Sequence, residues 1–286
     1  MSVTKETSKV LIVGATSWLA GHFLRLAPEE NHQFLLVSRS QENIDGYEVI
    51  TGDCTDYTFV IKTLRQTQPD LVVNFAGVSL PDEHFSQMMA VNYGISANFL
   101  RAITELGLET RLTVIGSAAE YGKPERDRVK ETDSCSPISA YGFSKWMQSN
   151  LLEGWTSSHD NGPILQVARV FNLWGEGAPA GTLGAVLSEK VATADNSLVK
   201  LHFPNMERDF IHVEEAARQI WEIIDSAQLG IFNVCSGQAM KLSSFCQMIA
   251  KQKGDEQLEV IQEPGFENRV QPLPIVVGSR EKFADL

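Results

Sequence analysis

Short apolar runs and amphipathic stretches take turns along the first half of the chain. VLIVGA (10–15) is apolar throughout, the pattern of a strand buried on both faces. Residues 17–26 have helical spacing and should stop near Pro28, and FLLVS (34–38) reads as a second strand. Residues 57–66 are helical, and LVVNFAG (71–77) after Pro69 is a third strand. A long helix is expected over 85–106 despite Gly94, followed by a strand at RLTVIGS (111–117). Residues 141–155 are helical again, PILQVARVFN (163–172) is a strand, and 243–251 is a late helix. Such alternation implies an α/β fold with a doubly wound parallel sheet and helices on both faces.

In a sheet of this Rossmann type, ligands sit beyond the C-terminal strand ends at the switch point. After residue 170 the rhythm weakens. Gly175, Gly177, Pro179, Gly181 and Gly184 crowd one stretch, which suggests a substrate-side loop, and 263–274 is rich in Pro and polar residues. The expected division is a cofactor domain over 1–170 and a small, mainly substrate-binding lobe over 171–286. About 206–233 should return to the main sheet.

Composition narrows the function classes. The net charge of −12 argues against a nucleic-acid partner, because phosphate contact over a long strand needs a basic face. It leaves room for a small anion held by local cations and backbone N–H groups. No apolar run is long enough for a membrane span, and MSVTKETSKV has no apolar signal core. Cys54, Cys135, Cys235 and Cys246 form no CxxC pair, so neither zinc nor a disulfide frame is expected. No metal is expected, and a reducing cytoplasm is the default setting.

Four places could carry chemistry. In Gly14-Ala15-Thr16-Ser17-Trp18-Leu19-Ala20 a tight turn feeds a helix N-terminus, which suits a pyrophosphate. The spacing is G-x-x-G-x-x-G, but Ser17 and Ala20 replace the later glycines, and the Ser17 Cβ should weaken phosphate approach. The alternative is a turn that only packs. At the end of the second strand, Ser38-Arg39-Ser40 lacks the carboxylate that accepts from a ribose 2′-OH. Arg39 could instead hold a 2′-phosphate, so NADP(H) is preferred and NAD(H) stays possible; a solvated loop arginine is the alternative. Asp53 either accepts from an adenine amino group or caps the helix that begins at Tyr57. Finally, Tyr141 and Lys145 are four residues apart and share a helix face. The ammonium should lower the phenol's pKa for acid–base work, and Ser117, 24 residues upstream, could bond the same substrate oxygen.

Together these segments resemble the extended short-chain dehydrogenase/reductase superfamily, the NAD-dependent epimerase/dehydratase group, over nearly the whole chain. NFAG (74–77), Asn92 in AVNYG, SAAEYG (117–122), ARVFNLWGEG (168–177), RDFIHVEEAA (208–217) and FNVCSG (232–237) carry the likeness. Within it the chain is most similar to the GDP-4-keto-6-deoxy-D-mannose reductases, through SR after strand two, TVIGSAAEYG, YGFSK, RDFIHV, FNVCSG and RVQPLPIVVGS. The resemblance implies catalysis by Ser117, Tyr141 and Lys145. It implies a cofactor lined by Gly14, Thr16, Ser17, Trp18, Leu19, Ser38, Arg39, Ser40, Asp53, Cys54, Phe75, Ala76, Gly77, Asn92, Tyr141 and Lys145. It implies a nucleotide-diphosphate sugar held by Ser79, Ser117, Ala118, Ala119, Asn172, Arg208 and Arg269. Arg208 could instead pair with Asp209 and His212, and Arg269 could be solvated.

Ala118 and Ala119 stand where such reductases carry polar residues, and where sugar-nucleotide dehydratases carry an Asp-Glu pair. Two alanines cannot move protons, so dehydratase chemistry is not expected. The chain stops at Leu286, where members of this kind continue with a closing helix; a truncated chain and a small lobe are the alternatives. A homodimer through a four-helix bundle is implied, with 85–106 and 141–155 as the paired helices. Phe99, Ile103 and Met147 are candidates for the seam or for the core. The function expected is NADPH-dependent reduction of a 4-keto-6-deoxy nucleotide sugar. An NAD-dependent nucleotide-sugar 4-epimerase and a catalytically inactive NADP-sensing or scaffold protein remain as alternatives.

Overall fold

A computed structural model describes residues 7–28, 31–40, 44, 46–79, 84–158, 162–266 and 275–286. The first half runs β1 (Ser8–Val13), α1 (Trp18–Arg25), β2 (His32–Ser38), β3 (Glu48–Thr51), α2 (Tyr57–Thr67) and β4 (Leu71–Asn74). Then come α3 (Phe85–Met89), a π-helical turn (Ala90–Gly94), α4 (Ile95–Leu106), β5 (Arg111–Ser117) and a 3-10 turn (Ala118–Glu120). Next are β6 (Arg128–Val129), α5 (Ala140–Ser158), β7 (Leu165–Val170), β8 (Asn172–Trp174), α6 (Leu183–Ala192) and β9 (Leu198–Leu201). The last part holds β10 (Glu207–His212), α7 (Val213–Ser226), β11 (Gly230–Val234), β12 (Ala239–Lys241), α8 (Leu242–Gln252), β13 (Glu259–Gln262) and β14 (Val277–Gly278).

The apolar runs pair into one parallel sheet in the order β11-β7-β5-β4-β1-β2-β3. Burial on both faces explains why β1, β4 and β7 show no polar alternation. One face packs on α1 and α7 through Phe23, Ile220, Trp221 and Ile224, with Phe23 and Trp221 stacked at 4.2 Å. The other packs on α2, α4 and α5 through Val60, Leu64, Phe99, Ile103 and Leu152. Phe99 and Ile103, candidates for a dimer seam, are therefore fully buried core residues. The strand order reverses direction between β1 and β4, which puts the switch point beside Gly14.

A third apolar cluster joins Leu187 and Val191 of α6, Leu201 of β9, Phe210 of β10 and Phe245 and Ile249 of α8. The stretch expected to return to the main sheet divides at this point. β11 takes the sheet edge beside β7, whereas β10 pairs parallel with β8 and antiparallel with β12 in a separate three-stranded sheet. Asp209 explains the split. Its buried carboxylate accepts from Ser236 N (2.9 Å), Ser236 Oγ (2.6 Å), Gly237 N (3.0 Å) and Gly278 N (3.1 Å), which ties β10 to the turn after β11 and to β14.

The expected helix over 85–106 is interrupted. α3 and α4 meet through the π-helical turn that carries Asn92. Such turns inside helices often mark functional places. The four cysteines are unpaired thiols, and burial pushes the Cys54 thiol up to about 12. Among the described residues, no helix is long and apolar enough to cross a membrane, and no cluster of His, Cys, Asp and Glu could hold a metal.

Candidate active site

A cleft of about 580 Å3 opens at the switch point. The turn after β1 contributes Gly14, Thr16 and Ser17, and the end of β2 contributes Ser38, Arg39 and Ser40. Asp53 and Cys54 after β3, and Phe75, Ala76 and Gly77 after β4, complete the wall. Trp18 and Leu19 do not line it. Leu19 is buried in the core, and the Trp18 indole N–H donates to the Glu176 carbonyl at 2.9 Å, fastening α1 to the glycine-rich loop after β8.

Gly14 is the glycine this turn requires. Its φ is +70°, and a Cβ there would stand 2.6 Å from the Ala76 backbone N. Gly14→Ala is expected to destabilise the fold by at least about 1–2 kcal/mol, from the left-handed backbone alone. Denaturant unfolding measures this, and calorimetric titration should find the dinucleotide affinity reduced. Ser17 occupies the second glycine position of the spacing. Its φ of −69° and ψ of 147° are ordinary, and its hydroxyl caps α1 by accepting from Ala20 N. A glycine is not needed there for backbone reasons. The cradle at Gly14, the capped N-terminus of α1 and the cleft volume fit a nicotinamide dinucleotide.

Asp53 does not cap α2. Asp56 takes that role by accepting from Thr58 N, and the Asp53 carboxylate accepts from Thr55 N and Thr55 Oγ1 on the cleft wall. Asn92 is completely buried beneath the cleft. Its amide accepts from Val78 N and donates to Val78 O and Ser144 Oγ, so it joins the loop after β4 to α5.

Ser117, at the end of β5, starts the 3-10 turn. Its hydroxyl accepts from Ala119 N, and its own N–H donates to Glu120 Oε1 at 2.8 Å. Tyr141 and Lys145 lie one turn apart on α5. Burial raises the Tyr141 pKa; a hydrogen bond with the Ser117 hydroxyl pulls it down, and the Glu120 charge pushes it up. The expected lowering of this phenol by Lys145 does not occur here. The ammonium points elsewhere, donating to the Ile115 carbonyl at 2.8 Å and to Gln148 Oε1 at 3.2 Å. Burial brings the Lys145 pKa down to about 8, against the upward pull of Glu120. Lys145 still borders the cleft, since a Cβ on Gly77 would stand 3.1 Å from its Nζ.

Glu120 and Arg169 were not singled out in the sequence. Both are buried, and Arg169 Nε and Nη2 each lie 2.9 Å from Glu120 Oε2. A signal was present, because an arginine inside the apolar strand LQVARV needs a buried partner.

On the substrate side, Ala118 and Ala119 are half-buried beside Ser117, and Ser79 is exposed on the loop after β4. Asn172 Nδ2 donates to the Asp209 carbonyl at 2.8 Å. Arg208 is buried and donates through Nη1 to the Glu207 carbonyl, and burial lowers its pKa. Arg208, Asp209 and His212 do not pair with one another. Asp209 is engaged by the lobe, and His212 meets the Trp174 ring edge-on at 4.7 Å. No carboxylate pairs with Arg208 among the described residues. Arg269 lies outside the described residues.

Comparison with known proteins matches residues 10–235 to the model of the NAD dependent epimerase/dehydratase family. A probable UDP-arabinose 4-epimerase 3 of Oryza sativa is 24% identical, over 86% of this chain and 70% of its own length. GDP-6-deoxy-D-mannose reductase of Pseudomonas aeruginosa is 24% identical, over 71% of this chain and 69% of its own. Among solved structures, the UDP-Glc/GlcNAc 4-epimerase of Campylobacter jejuni superposes with a TM-score of 0.82 at 20% identity, covering 98% of this chain and 92% of that one. The Bordetella bronchiseptica enzyme WbmG in complex with NAD and UDP gives 0.78 at 19% identity, covering 100% and 89%. With a family match over most of its length and the parallel sheet those structures share, this chain belongs to the NAD dependent epimerase/dehydratase family.

Proposed function

We propose that the chain is an NADPH-dependent reductase of a 4-keto-6-deoxy nucleotide sugar. The observation that carries this reading is a dinucleotide-sized cleft lined by Arg39 and Gly77, with Lys145 Nζ next to Gly77 and Tyr141, bonded to Ser117, one turn away on α5. Gly14 and the capped N-terminus of α1 would take the pyrophosphate. Arg39, Ser38 and Ser40 would take the 2′-phosphate, and Phe75, Ala76 and Gly77 would line the nicotinamide end. Bound there, NADPH supplies the hydride.

The chain's own residues handle the oxygen and its proton. Tyr141 donates the phenolic proton to the substrate's C4 oxygen, Ser117 fixes that oxygen, and Lys145 offsets the phenolate left behind. A raised Tyr141 pKa suits this direction, because an acid must hold its proton at neutral pH. Arg208, buried without a carboxylate partner among the described residues, suits the substrate diphosphate. Asn172 would border the sugar nucleotide, and Ser79, Ala118 and Ala119 the sugar. A homodimer through α4 and α5 accords with the apolar groove between Leu100, Leu151 and Trp155.

The similarity to UDP-sugar 4-epimerases, and to structures holding NAD, favours a second reading as an NAD-dependent 4-epimerase. Cofactor choice separates the two. The reductase should oxidise NADPH with a nucleotide-linked 4-keto-6-deoxy sugar, and Arg39→Glu should weaken NADPH by ~10–100-fold while sparing NADH. Copurified NAD, sugar interconversion without net NADPH loss, and an indifferent Arg39→Glu would select the epimerase.

A further inference from the structure

Lys145 is held from behind by a residue that does not line the cleft. Gln148, one turn along α5, is fully buried. Its Oε1 lies 3.2 Å from Lys145 Nζ, while its Nε2 is buried with no hydrogen-bond partner. That half-satisfied amide is informative. A buried side chain kept only for packing would be apolar here, since an unpaired amide N–H is costly. The amide orientation also follows, because the opposite flip would aim N–H groups at an ammonium.

We infer that Gln148 is a positioning residue for Lys145, holding its ammonium against the Ile115 carbonyl and thereby setting the pH at which the charge is lost. The inference rests on the role proposed for Tyr141 and Lys145. Two of the three ammonium hydrogens have partners, the Ile115 carbonyl and Gln148 Oε1, on the side of β5 and α5. The third is left for the cleft beside Gly77. The charged group that acts on Lys145 is Glu120 on the 3-10 turn, itself paired with Arg169 on β7, and Tyr141 lies one turn away on α5. Glu120 is paired with Arg169 and reaches Lys145 through its charge, whereas the Ile115 and Gln148 oxygens are its direct hydrogen-bond partners. The same hold accounts for the missing lysine effect on Tyr141. In this state the ammonium is occupied away from the phenol.

The sign is defined. Loss of the Lys145 proton, as pH rises through its pKa, removes the charge that offsets the phenolate, so activity falls on the alkaline side. Gln148→Met keeps the length and removes the acceptor, and should move the alkaline limb of kcat/KM down by about one pH unit. Gln148→Glu adds a charge that favours the ammonium and should move the limb up by about one unit. A purely structural role would lower activity in both variants without opposite shifts, and that result overturns the inference.

A measurement on the unaltered chain depends neither on turnover nor on the Gln148 variants folding. Lysine ammonium protons give a 15N-correlated NMR signal when hydrogen bonds protect them from exchange. A protected signal at neutral pH, assigned by its loss in Lys145→Arg, is expected; its absence overturns the inference. If Tyr141→Phe stays active while this signal is present, the catalytic assignment fails and the hold on Lys145 stands.

Discussion

Tyr141→Phe is expected to lower kcat by ~10²–10⁴-fold while leaving cofactor affinity unchanged. The substitution removes one oxygen from a ring that keeps its place on α5. The lost hydroxyl interacts with Ser117, and the Ser117 hydroxyl keeps Ala119 N as a partner. The stability cost should therefore stay within about 1 kcal/mol, so a large fall in kcat reads as chemistry and not unfolding. Cofactor titration by protein fluorescence and a single-turnover hydride-transfer measurement separate binding from the chemical step. In the wild type the rate should fall as pH rises, because both groups act in their protonated forms. Burial raises the Tyr141 pKa, so Lys145, at about 8, is the first of the two to be lost. Turnover near the wild-type rate in the Phe variant would remove Tyr141 from the mechanism.

The sheet was legible because its strands are short, apolar and evenly spaced, and burial on both faces erases the alternation that would confuse them with surface strands. The expected strand at 10–15 is β1 shifted by two residues at each end, and that at 111–117 matches β5 in full. What sequence could not place were features decided by partners distant in the chain. β10 looks like any sheet strand, but its course depends on Asp209 meeting Ser236, Gly237 and Gly278. The π-helical turn at Asn92 is invisible to a helical period, since its extra residue per turn is stabilised by Val78 and Ser144 from other segments.

The site divides in the same way. The glycine turn, Arg39 and the Tyr141–Lys145 pair follow from local spacing; Gly14 and Arg39 line one cleft, which Lys145 borders at Gly77. Spacing alone overstated the link between Tyr141 and Lys145, because a flexible lysine chooses among nearby acceptors and here meets Ile115 and Gln148. It also passed over Gln148, Glu120 and Arg169, whose importance lies in being buried and not in being part of a motif. Thr113 and Gln166 repeat the lesson: they face each other across β5 and β7, where Thr113 Oγ1 donates to Gln166 Oε1 at 2.8 Å.

Arg169→Met is expected to destabilise the fold by about 3–5 kcal/mol, the cost of leaving Glu120 as an uncompensated buried charge. The pair is built into the sheet. Arg169 sits opposite Gly116 in the β5–β7 ladder, and a Cβ on Gly116 would stand 2.7 Å from Glu120 Oε1, so the glycine makes room for the carboxylate. The guanidinium also lies over the Tyr121 ring at 4.5 Å. Glu120→Gln alone leaves Arg169 unpaired and should cost a similar amount. The double variant Glu120→Gln/Arg169→Met removes both charges and keeps an acceptor for the Ser117 N–H, so most of the stability should return. Urea unfolding of the four proteins gives the cycle, with an interaction energy that approaches the sum of the two single losses. Additive losses would mean that the two residues act independently. Activity supplies a second axis, because Glu120 also holds the backbone of Ser117. If the pair places that hydroxyl, kcat falls in Arg169→Met under conditions where the protein remains folded and recovers in the double variant. If kcat follows the folded fraction alone, the pair supports the sheet and not the catalytic serine.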